Sequence, residues 1–411
     1  MEILETVGHL IGVIFSICYA YQFVYLAVAL LGKKKKAEAA PALKDYAVLI
    51  CARNEETVIG DLCESLKQQT YPQEKLQVFV MADNCEDGTA RIAEEAGAVV
   101  YTRRNKEQVG KGYALEALLR QLRSDYPAGF DGYFVFDADN LLEKDYIEQM
   151  HRRFSQGHEL VTGYRNSKNY GDNWISAGYS LWYLRESRYL NYPRDLLGTS
   201  CFISGTGFMF SRKVAEDIGN WPFHLLTEDV EFTADRICGG ERVAFCREAI
   251  LYDEQPRTFR QSWWQRLRWS KGYLQVCRKY GRELMGGIFR GRFACFDMLM
   301  SIMPAFVLSA LAVICHLAAA LLFAARGESI LPVLGSFGKL LWGGYSLLWF
   351  LGAVTTLSEW RMIRAGAFRK LLYMFTFPLF MFTYVPISLT ALVTKVEWKP
   401  IKHTVTAKQR Q

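Results

Sequence analysis

The sequence predicts an α/β domain that lies between membrane-spanning helices at the two ends of the chain. Between residues 46 and 136, short apolar runs typical of buried strands alternate with helical stretches, which indicates a mostly parallel sheet with crossover helices. Gly8–Leu31 carries no formal charge over 24 residues, enough to cross a hydrocarbon layer of about 30 Å. The chain of 411 residues is 51% hydrophobic, yet its mean hydropathy is only +0.01, as expected when a polar middle separates apolar ends.

The first apolar segment is predicted to be an uncleaved anchor. Lys33–Lys36 follow it directly, so the positive-inside rule places residue 33 onward in the cytosol and the amino terminus outside. A cleaved signal peptide would carry its basic residues before the apolar stretch. We therefore divide the chain into an anchor with its basic flank (residues 1–36), a cytosolic domain (37–285) and a C-terminal transmembrane region with a basic tail (286–411).

The polar residues of interest follow the predicted strands of the cytosolic domain. Asp83 follows the second strand, and Asp137 and Asp139 follow the fourth; open α/β sheets bind ligands at this carboxyl edge. No G-x-G-x-x-G follows a strand, so the dinucleotide fingerprint is absent. The strands are predicted at Tyr46–Cys51, Leu76–Ala82, Val99–Tyr101 and Tyr133–Phe136, and the helices at Val58–Gln69, Ala90–Ala96 and Gly112–Leu122.

Three further apolar segments predict a C-terminal bundle whose topology the sequence leaves open. The loop before the last segment is marked as cytosolic by its basic residues Arg361, Arg364, Arg369 and Lys370. If every segment crosses, the tail ends outside although it is basic, so we expect one late segment to be re-entrant or interfacial. The segments are Met303–Ala325, Leu340–Leu357 and Leu371–Thr394, the last interrupted by Pro378 and Pro386, and the basic tail residues are Lys395, Lys399, Lys402, Lys408 and Arg410.

Composition narrows the range of partners. The ten cysteines form no Cys-x-x-Cys pair, and most lie in the region predicted to be cytosolic, so neither a disulfide framework nor a zinc site is expected. Much of the net charge of +7 lies beside the apolar spans. Attraction to anionic lipid headgroups explains that charge without a nucleic-acid partner.

Asp137-Ala138-Asp139 ends the predicted fourth strand. Side chains alternate along a strand, so the two carboxylates point the same way. Hard oxygen ligands of this kind suit Mg²⁺ or Mn²⁺, which would bridge to a diphosphate and neutralise the charge that develops on it. The alternative is a helix-capping acid pair ahead of Leu141.

Thr227-Glu228-Asp229 and Gln265-Arg266-Leu267-Arg268-Trp269 are two further motifs. The first offers a carboxylate that could deprotonate a hydroxyl, and it also suits the start of a helix. The second lies within Trp263–Tyr280, an amphipathic helix with a basic side that suits a membrane interface. Gln265, Arg268 and Trp269 form one contiguous arc of this helix, and a plain interfacial helix with tryptophan anchors is the alternative.

These three motifs, in this order and flanked by apolar spans, resemble the membrane-embedded family 2 glycosyltransferases, which include hyaluronan, chitin, cellulose and poly-N-acetylglucosamine synthases. The resemblance runs over nearly the whole chain and implies a GT-A-like nucleotide-sugar-binding domain at residues 37–285. It implies that Asp229 is the general base, with Glu228 beside it in the catalytic set. It also implies that Asp139 ligates the metal directly, while Asp137 contacts the nucleotide or supports the metal site.

The same resemblance implies the remaining site residues. The turn Asp83–Asp87 is longer than the family's common form, so whether Asp83 or Asp87 contacts the nucleotide stays open. By resemblance, the nucleotide contacts are Ala52, Asn54, Glu55, Asp83 and Lys111, the diphosphate contacts are Gln265 and Arg268, and the acceptor contacts are Trp269 with the looser Gly205, Thr206 and Gly207.

The expected function is processive, inverting transfer of a sugar from a UDP-sugar to a growing β-linked glycan at the inner face of the plasma membrane. By resemblance the sugar is N-acetylglucosamine. The alternatives are a non-processive transferase that adds one sugar to a lipid acceptor, and an inactive scaffold or export component. The sequence leaves open whether an accessory membrane subunit takes part.

Overall fold

The computed structural model describes residues 2–32, 41–302 and 304–398, and a mixed sheet forms the centre of its α/β domain. The strands are β1 (Tyr46–Ala52), β2 (Leu76–Asp83), β3 (Val99–Arg103), β4 (Gly132–Asp137), β5 (Leu141–Leu142), β6 (Leu160–Ser167), β7 (Phe208–Ser211) and β8 (Val243–Asp253). Their order across the sheet is β3-β2-β1-β4-β7-β6-β8-β5. The half formed by β1 to β4 is parallel, whereas β7 runs antiparallel to both β4 and β6.

Helices cover both faces of the sheet and continue into the apolar ends of the chain. Because of this double cover, alternate residues of β1 are buried on opposite faces: Ala47 and Leu49 on one, Val48 and Ile50 on the other. The helices are α1 (Glu2–Tyr19), α2 (Tyr21–Leu31), α3 (Ile59–Lys67), α4 (Thr89–Glu95), α5 (Lys111–Asp125), α6 (Tyr146–Phe154), α7 (Trp174–Arg185), α8 (Tyr192–Leu196), α9 (Arg212–Ile218), α10 (Glu228–Gly239), α11 (Phe259–Phe289), α12 (Phe293–Ile302), α13 (Pro304–Ala325), α14 (Leu331–Ser358), α15 (Ala367–Phe382) and α16 (Tyr384–Val393).

The first half of the sheet confirms the prediction. All four predicted strands and all three predicted helices between residues 46 and 136 are present, with ends that differ by a few residues. The register pairs Cys51 of β1 with Asp137 of β4, and Ala52 with Ala82 of β2. The carboxyl ends of these strands therefore lie together at one edge of the sheet, as the position of Asp83 and Asp137 in the sequence predicted.

Three helical segments within the described residues are long and apolar enough to cross a membrane: Leu10–Leu31, Leu331–Ser358 and Ala367–Val393. The first comprises most of α1 and α2 and matches the predicted anchor, while the basic flank Lys33–Lys36 lies outside the described residues. The predicted span from Met303 to Ala325 corresponds to α13, a further apolar helix that packs against α1. Met303 itself is not among the described residues.

The last apolar segment is broken into α15 and α16 at Thr383. Pro386 lies in the first turn of α16, where a proline is tolerated. Within one continuous helix its ring would clash with the carbonyl of the preceding turn, so a break before it is expected. At the start of the segment, Arg369 donates a hydrogen bond to the carbonyl of Gly171 (2.9 Å). After its end, the indole of Trp398 lies 5.3 Å from the guanidinium of Arg53.

Both ends of this segment therefore contact the α/β domain, and its two helices pack on α7 and α11. This arrangement is compatible with the expected interfacial or re-entrant segment, although Ala367–Val393 is also long and apolar enough to cross a membrane. A tail on the same side as the α/β domain would also agree with the positive-inside rule. The basic residues Lys399, Lys402, Lys408 and Arg410 lie outside the described residues.

A buried ion pair joins the membrane helices to the α/β domain. Arg194 of α8 donates two hydrogen bonds of 2.7 Å to the carboxylate of Asp297 in α12. Tyr21 and Tyr25 of α2 donate to the same carboxylate at 2.8 and 2.6 Å. Because removing one partner would leave a buried charge unpaired, this network fixes the amino-terminal helix against the domain.

The packing of α15 and α16 predicts which loops share a side of the membrane. Glu328, between α13 and α14, and Lys395, after α16, are both exposed. In intact cells, an impermeant thiol reagent should label a Glu328→Cys variant above the background of the parent chain. A Lys395→Cys variant should be labelled only after the membrane is opened. Equal labelling of both variants in intact cells would contradict the interfacial placement.

Candidate active site

A cavity of about 450 Å³ opens at the carboxyl ends of β1, β2 and β4 and continues between the apolar helices. Residues of all three motifs line it, although they are separated in the sequence by up to about 130 positions. The motif residues in its wall are Asp137, Asp139, Glu228, Asp229, Gln265, Arg268 and Trp269. The structure therefore brings together the side chains that the sequence analysis singled out.

The predicted nucleotide end of the cavity contains Ala52, Glu55, Asp83 and Lys111 in its wall. Asp83 is buried, and Arg103 forms an ion pair with its carboxylate at 2.7 Å. Of the two candidate aspartates, Asp83 lines the cavity and Asp87 does not.

Two neighbouring loop residues hold the turn instead of lining the cavity. Asp87 accepts a hydrogen bond from the backbone N–H of Thr89 (3.1 Å). Asn54, which was predicted to bind nucleotide, adopts a positive φ of 56° and accepts a hydrogen bond from the N–H of Glu86 (2.9 Å). Its side chain joins the first loop to the acidic turn, so the structure gives it a supporting position.

Lys111 begins α5 and connects two parts of the cavity. Its ammonium forms an ion pair with Asp137 and donates to the carbonyl of Gly205 (2.7 Å). Burial opposes the charged form, but Asp137 and Glu228 outweigh it and raise the pKa of Lys111. The lysine therefore stays charged at the place where a helix N-terminus also favours an anion.

Asp139 and Asp253 form the acidic floor beside Asp137. Asp139 is buried, and its carboxylate accepts a hydrogen bond from the backbone N–H of Glu254 (2.8 Å). Burial, opposed by Arg165 and reinforced by Asp139, raises the pKa of Asp253 to about 6. A cation placed here would relieve the repulsion between these carboxylates.

Within the described ranges, no group of three His, Cys, Asp or Glu side chains is arranged to hold a metal ion by itself. A metal at Asp139 would therefore need oxygen atoms from a ligand to complete its coordination. Mg²⁺ commonly binds in this manner, through one or two carboxylates and substrate phosphates. The residues present thus fit a divalent cation that arrives with a diphosphate.

Gly205 lies between the two acidic motifs. A Cβ built on it would lie 3.8 Å from Oδ2 of Asp137 and 3.9 Å from Oδ2 of Asp229. Its φ of +78° is a conformation that glycine adopts without strain. The glycine therefore lets the loop lie next to both carboxylates without a side chain of its own between them.

Thr206 and Gly207 do not line the cavity, in contrast to their predicted contact with the acceptor. The hydroxyl of Thr206 is buried, accepts the N–H of Asp137 (2.9 Å) and donates to Asn140. Gly207 is packed so tightly that a Cβ there would lie 1.9 Å from the side chain of Leu251. Both residues directly follow Gly205, so the hydrogen bonds of Thr206 and the close packing of Gly207 hold Gly205 in place.

Glu228 and Asp229 begin α10 and are the two carboxylates of the second motif. Burial, and then the charge of Asp229, raises the pKa of Glu228 to about 7. Burial also raises the pKa of Asp229, although Lys111 and Arg268 oppose the shift. The two groups share one site and titrate as a pair, so one of them can accept a proton near neutral pH.

The third motif lies on α11, which extends beyond the predicted helix Trp263–Tyr280 at both ends. Gln265, Arg268 and Trp269 face the cavity as the predicted arc required. Oε1 of Gln265 is buried without a hydrogen-bond partner among the described residues, so a ligand group could satisfy it. The indole of Trp269 meets the ring of Tyr179 edge-on at 5.7 Å, which fixes its orientation.

Arg266, between these residues, is fully buried and was not predicted to have a role. It donates to the hydroxyl of Thr383 (2.6 Å) and to the carbonyl of Phe380 (3.2 Å). These partners lie at the break between α15 and α16, more than 110 positions away. The sequence of the helix alone contained no sign of them.

Two further cavity residues were also missed. Arg165 of β6 forms an ion pair with Asp253, donates to the carbonyl of Ser204 (2.6 Å) and stacks on Tyr183 at 3.7 Å. Glu186 is buried and accepts a hydrogen bond from the hydroxyl of Ser204. It begins a π-helical turn, Glu186–Asn191, of a kind often found at functional sites.

The sheet, the acidic edge and the adjoining membrane helices define a GT-A-like glycosyltransferase fold. Residues 41–272 match the family described as "Glycosyltransferase like family 2". The match covers more than half of the chain, and the protein belongs to that family. This confirms the resemblance inferred from the three motifs.

Similar proteins have several activities. The chain is 28% identical over 266 residues to the probable glycosyltransferase YdaM of Bacillus subtilis, covering 58% of this chain and 57% of the relative. It is 25% identical to the beta-monoglucosyldiacylglycerol synthase of Synechocystis, covering 57% of this chain and 49% of the relative. It is 24% identical to the poly-beta-1,6-N-acetyl-D-glucosamine synthase of Staphylococcus aureus, covering 57% and 56%. The match thus spans about half the length of each relative.

Among solved structures, the mannosyltransferase PcManGT from Pyrobaculum calidifontis, in complex with GDP-Man and Mn²⁺, is similar to this chain with a TM-score of 0.58. The identity is 17%, and the alignment covers 94% of this chain and 99% of that one. At this identity the likeness concerns the fold, and it extends over both the α/β domain and the apolar helices.

The coupling of Glu228 and Asp229 predicts a pH effect. A base is active when deprotonated, so raised pKa values place the acid limb of the pH–rate profile nearer neutrality than an ordinary Asp would. Burial and the charge of Asp229 raise the pKa of Glu228 to about 7, so Glu228 still holds its proton over the range in which an aspartate titrates. Glu228→Gln should therefore remove an inflection of the profile near pH 7 and leave the acid limb in place. Turnover measured from pH 4 to 9 checks this; an inflection near pH 7 that persists in the variant would contradict the assignment to Glu228.

Proposed function

We propose that the protein transfers a sugar from a UDP-sugar to an acceptor hydroxyl, with inversion at the anomeric carbon. One observation carries this proposal: a carboxylate oxygen of Asp137 and one of Asp229 lie 3.8 and 3.9 Å from the same point, the position that a Cβ of Gly205 would take. The first belongs to the predicted donor site and the second is the predicted base. Donor and acceptor would therefore meet directly beside Gly205.

The donor side of the cavity suits a nucleoside diphosphate. Asp83 and Glu55 offer acceptors for base or ribose hydrogen bonds, while Lys111 and Arg268 offer charge for the diphosphate. Asp139 would hold Mg²⁺ or Mn²⁺ together with diphosphate oxygens, and the PcManGT structure contains Mn²⁺ with a nucleotide sugar. Such a metal supplies charge neutralisation for the departing diphosphate.

The reaction is a single displacement. Asp229 takes the proton of the acceptor hydroxyl as its oxygen forms a bond to C1 of the sugar. The bond between C1 and the diphosphate oxygen breaks on the opposite face, and UDP leaves with the electron pair. Lys111 and Arg268 lie where they can stabilise the new negative charge, and the proton remains on Asp229.

The inner part of the cavity favours a lipid acceptor that receives one sugar. Its wall there is apolar and comes from α1, α2, α14 and α15, with side chains including Phe15, Phe23, Leu26, Leu351 and Phe377. Such a wall suits an aliphatic chain better than a hydroxylated glycan. The similarity to a beta-monoglucosyldiacylglycerol synthase supports the same acceptor class.

A second candidate function is the processive synthesis of a β-linked glycan, with N-acetylglucosamine as the sugar. Trp269 supports it, because an indole held in the cavity wall can pack against the C–H face of an acceptor sugar. The similarity to a poly-beta-1,6-N-acetyl-D-glucosamine synthase supports it as well. Either acceptor agrees with a cytosolic site at the inner face of the plasma membrane.

The proposal predicts different defects for its two key aspartates. Asp229→Asn should lower turnover by about 10²- to 10⁴-fold, since the base is lost, while UDP binding persists. Asp139→Asn should weaken metal-dependent UDP binding itself. Calorimetric titration of UDP with Mg²⁺ or Mn²⁺, together with UDP release from the UDP-sugar, separates the two effects.

Chelation of the wild type should imitate Asp139→Asn, and adding metal back should restore only the wild type. Full activity in excess chelator would exclude the metal site. A loss of UDP affinity in Asp229→Asn, with turnover intact, would make Asp229 a binding residue. No turnover with any donor would favour the inactive scaffold.

Product size decides between the two acceptors. With excess dioleoylglycerol and a panel of UDP-sugars, the wild type should form lipid that carries a single sugar, as measured by mass spectrometry. Long polymer formed at the same acceptor excess would instead establish the processive candidate. In that case Trp269→Ala should shorten the polymer severely while UDP binding persists.

A further inference from the structure

Arg185, at the end of α7, is a buried cation in the cavity wall that has no carboxylate partner. Only 8% of the residue is exposed. Its guanidinium donates to Oε1 of Gln22 in α2 (2.6 Å) and lies 5.4 Å from the ring of Trp182. Within residues 2–32, 41–302 and 304–398, no carboxylate lies within ion-pair distance of it.

Two other arginines of the cavity wall, Arg165 and Arg194, differ from Arg185 in this respect. Arg165 is paired with Asp253, and Arg194 is paired with Asp297. Burial lowers the pKa of Arg185 to about 10, and the charge of Arg194 contributes to the lowering. A buried charge without a counter-charge is costly, so the protein alone does not explain why an arginine stands here.

Arg185 has both apolar and polar residues near it in the cavity wall. On one side, Phe15, Phe23 and Leu26 of the amino-terminal helices form an apolar wall of the same cavity. On the other side, the next residue, Glu186, is hydrogen-bonded to Ser204 beside Gly205. Arg185 thus lines the same cavity as the apolar wall and directly precedes a residue that is bonded to the loop of Gly205.

We propose that Arg185 and Gln22 form a subsite for the phosphate group of a membrane lipid whose hydrocarbon chains lie against the apolar wall of the cavity. A guanidinium forms strong paired hydrogen bonds with phosphate, and the side-chain amide of Gln22 can donate one more. A lipid seated in this manner would present its headgroup towards Gly205 and Asp229.

The inference that this lipid is the acceptor rests on the proposed function, whereas the phosphate subsite itself does not. Three lipids with the same acyl chains separate the possibilities. Dioleoylphosphatidylglycerol carries a phosphate and free hydroxyls, dioleoylphosphatidic acid carries a phosphate without a headgroup hydroxyl, and dioleoylglycerol carries a hydroxyl without a phosphate. Binding of each to the full chain in detergent is measured by native mass spectrometry, and UDP release is measured in parallel.

The wild type should bind both phosphate lipids more tightly than dioleoylglycerol. Arg185→Gln should weaken the binding of both phosphate lipids by about 10- to 100-fold, which is the range expected for the loss of a charge-assisted hydrogen bond. The affinity of the same variant for dioleoylglycerol should stay within about twofold of the wild-type value. Arg185→Lys should recover part of the preference, which a merely misfolded variant would not show. Arg290→Gln, which removes an exposed arginine outside the cavity, is the matched control and should retain the wild-type preference.

Equal affinity of the wild type for phosphatidic acid and dioleoylglycerol would overturn the subsite, as would a preference unchanged in Arg185→Gln. Sugar on phosphatidylglycerol, with phosphatidic acid as a competitor, would show that the bound lipid is the acceptor. Faster transfer to dioleoylglycerol in the presence of phosphatidic acid would show a bound lipid that is not consumed, and the subsite would stand. Phosphate-dependent binding without any UDP release would retain the subsite and remove the proposed transfer.

Discussion

The ion pair between Lys111 and Asp137 is the interaction on which the rest of the site depends. It joins the first residue of α5 to the end of β4, and the same ammonium holds the carbonyl of Gly205. Carboxylate oxygens of Asp137 and Asp229 both lie beside that glycine, and both residues are near other acids. Without a buried cation among them, these carboxylates would repel one another and the loop would lose its position.

A second set of buried charges fixes this centre relative to the membrane helices. The pair Arg194–Asp297 binds α8 of the α/β domain to α12 and, through two tyrosines, to α2. At the other end, Glu359 after α14 accepts a hydrogen bond from Tyr164 of β6 (2.9 Å). The apolar part of the cavity therefore lies at a fixed place relative to Asp229, as the proposed transfer from a soluble donor to a lipid acceptor requires.

Much of the donor side could be predicted, because parallel strands end at one edge and Asp83, Asp137 and Asp139 directly follow those strands. Helical periodicity likewise placed Gln265, Arg268 and Trp269 on one face. The residues that sequence reasoning missed depend on contacts between distant segments. Arg266 finds its partners at a helix break more than 110 positions later, and Arg185 is notable because no carboxylate among the described residues forms an ion pair with it. Gly207 was predicted to contact the acceptor, but a glycine is needed there because any side chain would collide with Leu251.

If Asp229 drives a single displacement beside Gly205, the product must have the inverted configuration at its anomeric carbon. The UDP-sugar carries an α-linked sugar, so one displacement must give a β-linked product. Proton NMR of the isolated product, by the coupling constant of its anomeric hydrogen, distinguishes the two configurations. A β-linked product is predicted for the wild type with any acceptor that it uses. An α-linked product would require two displacements or a front-face reaction and would contradict the role proposed for Asp229.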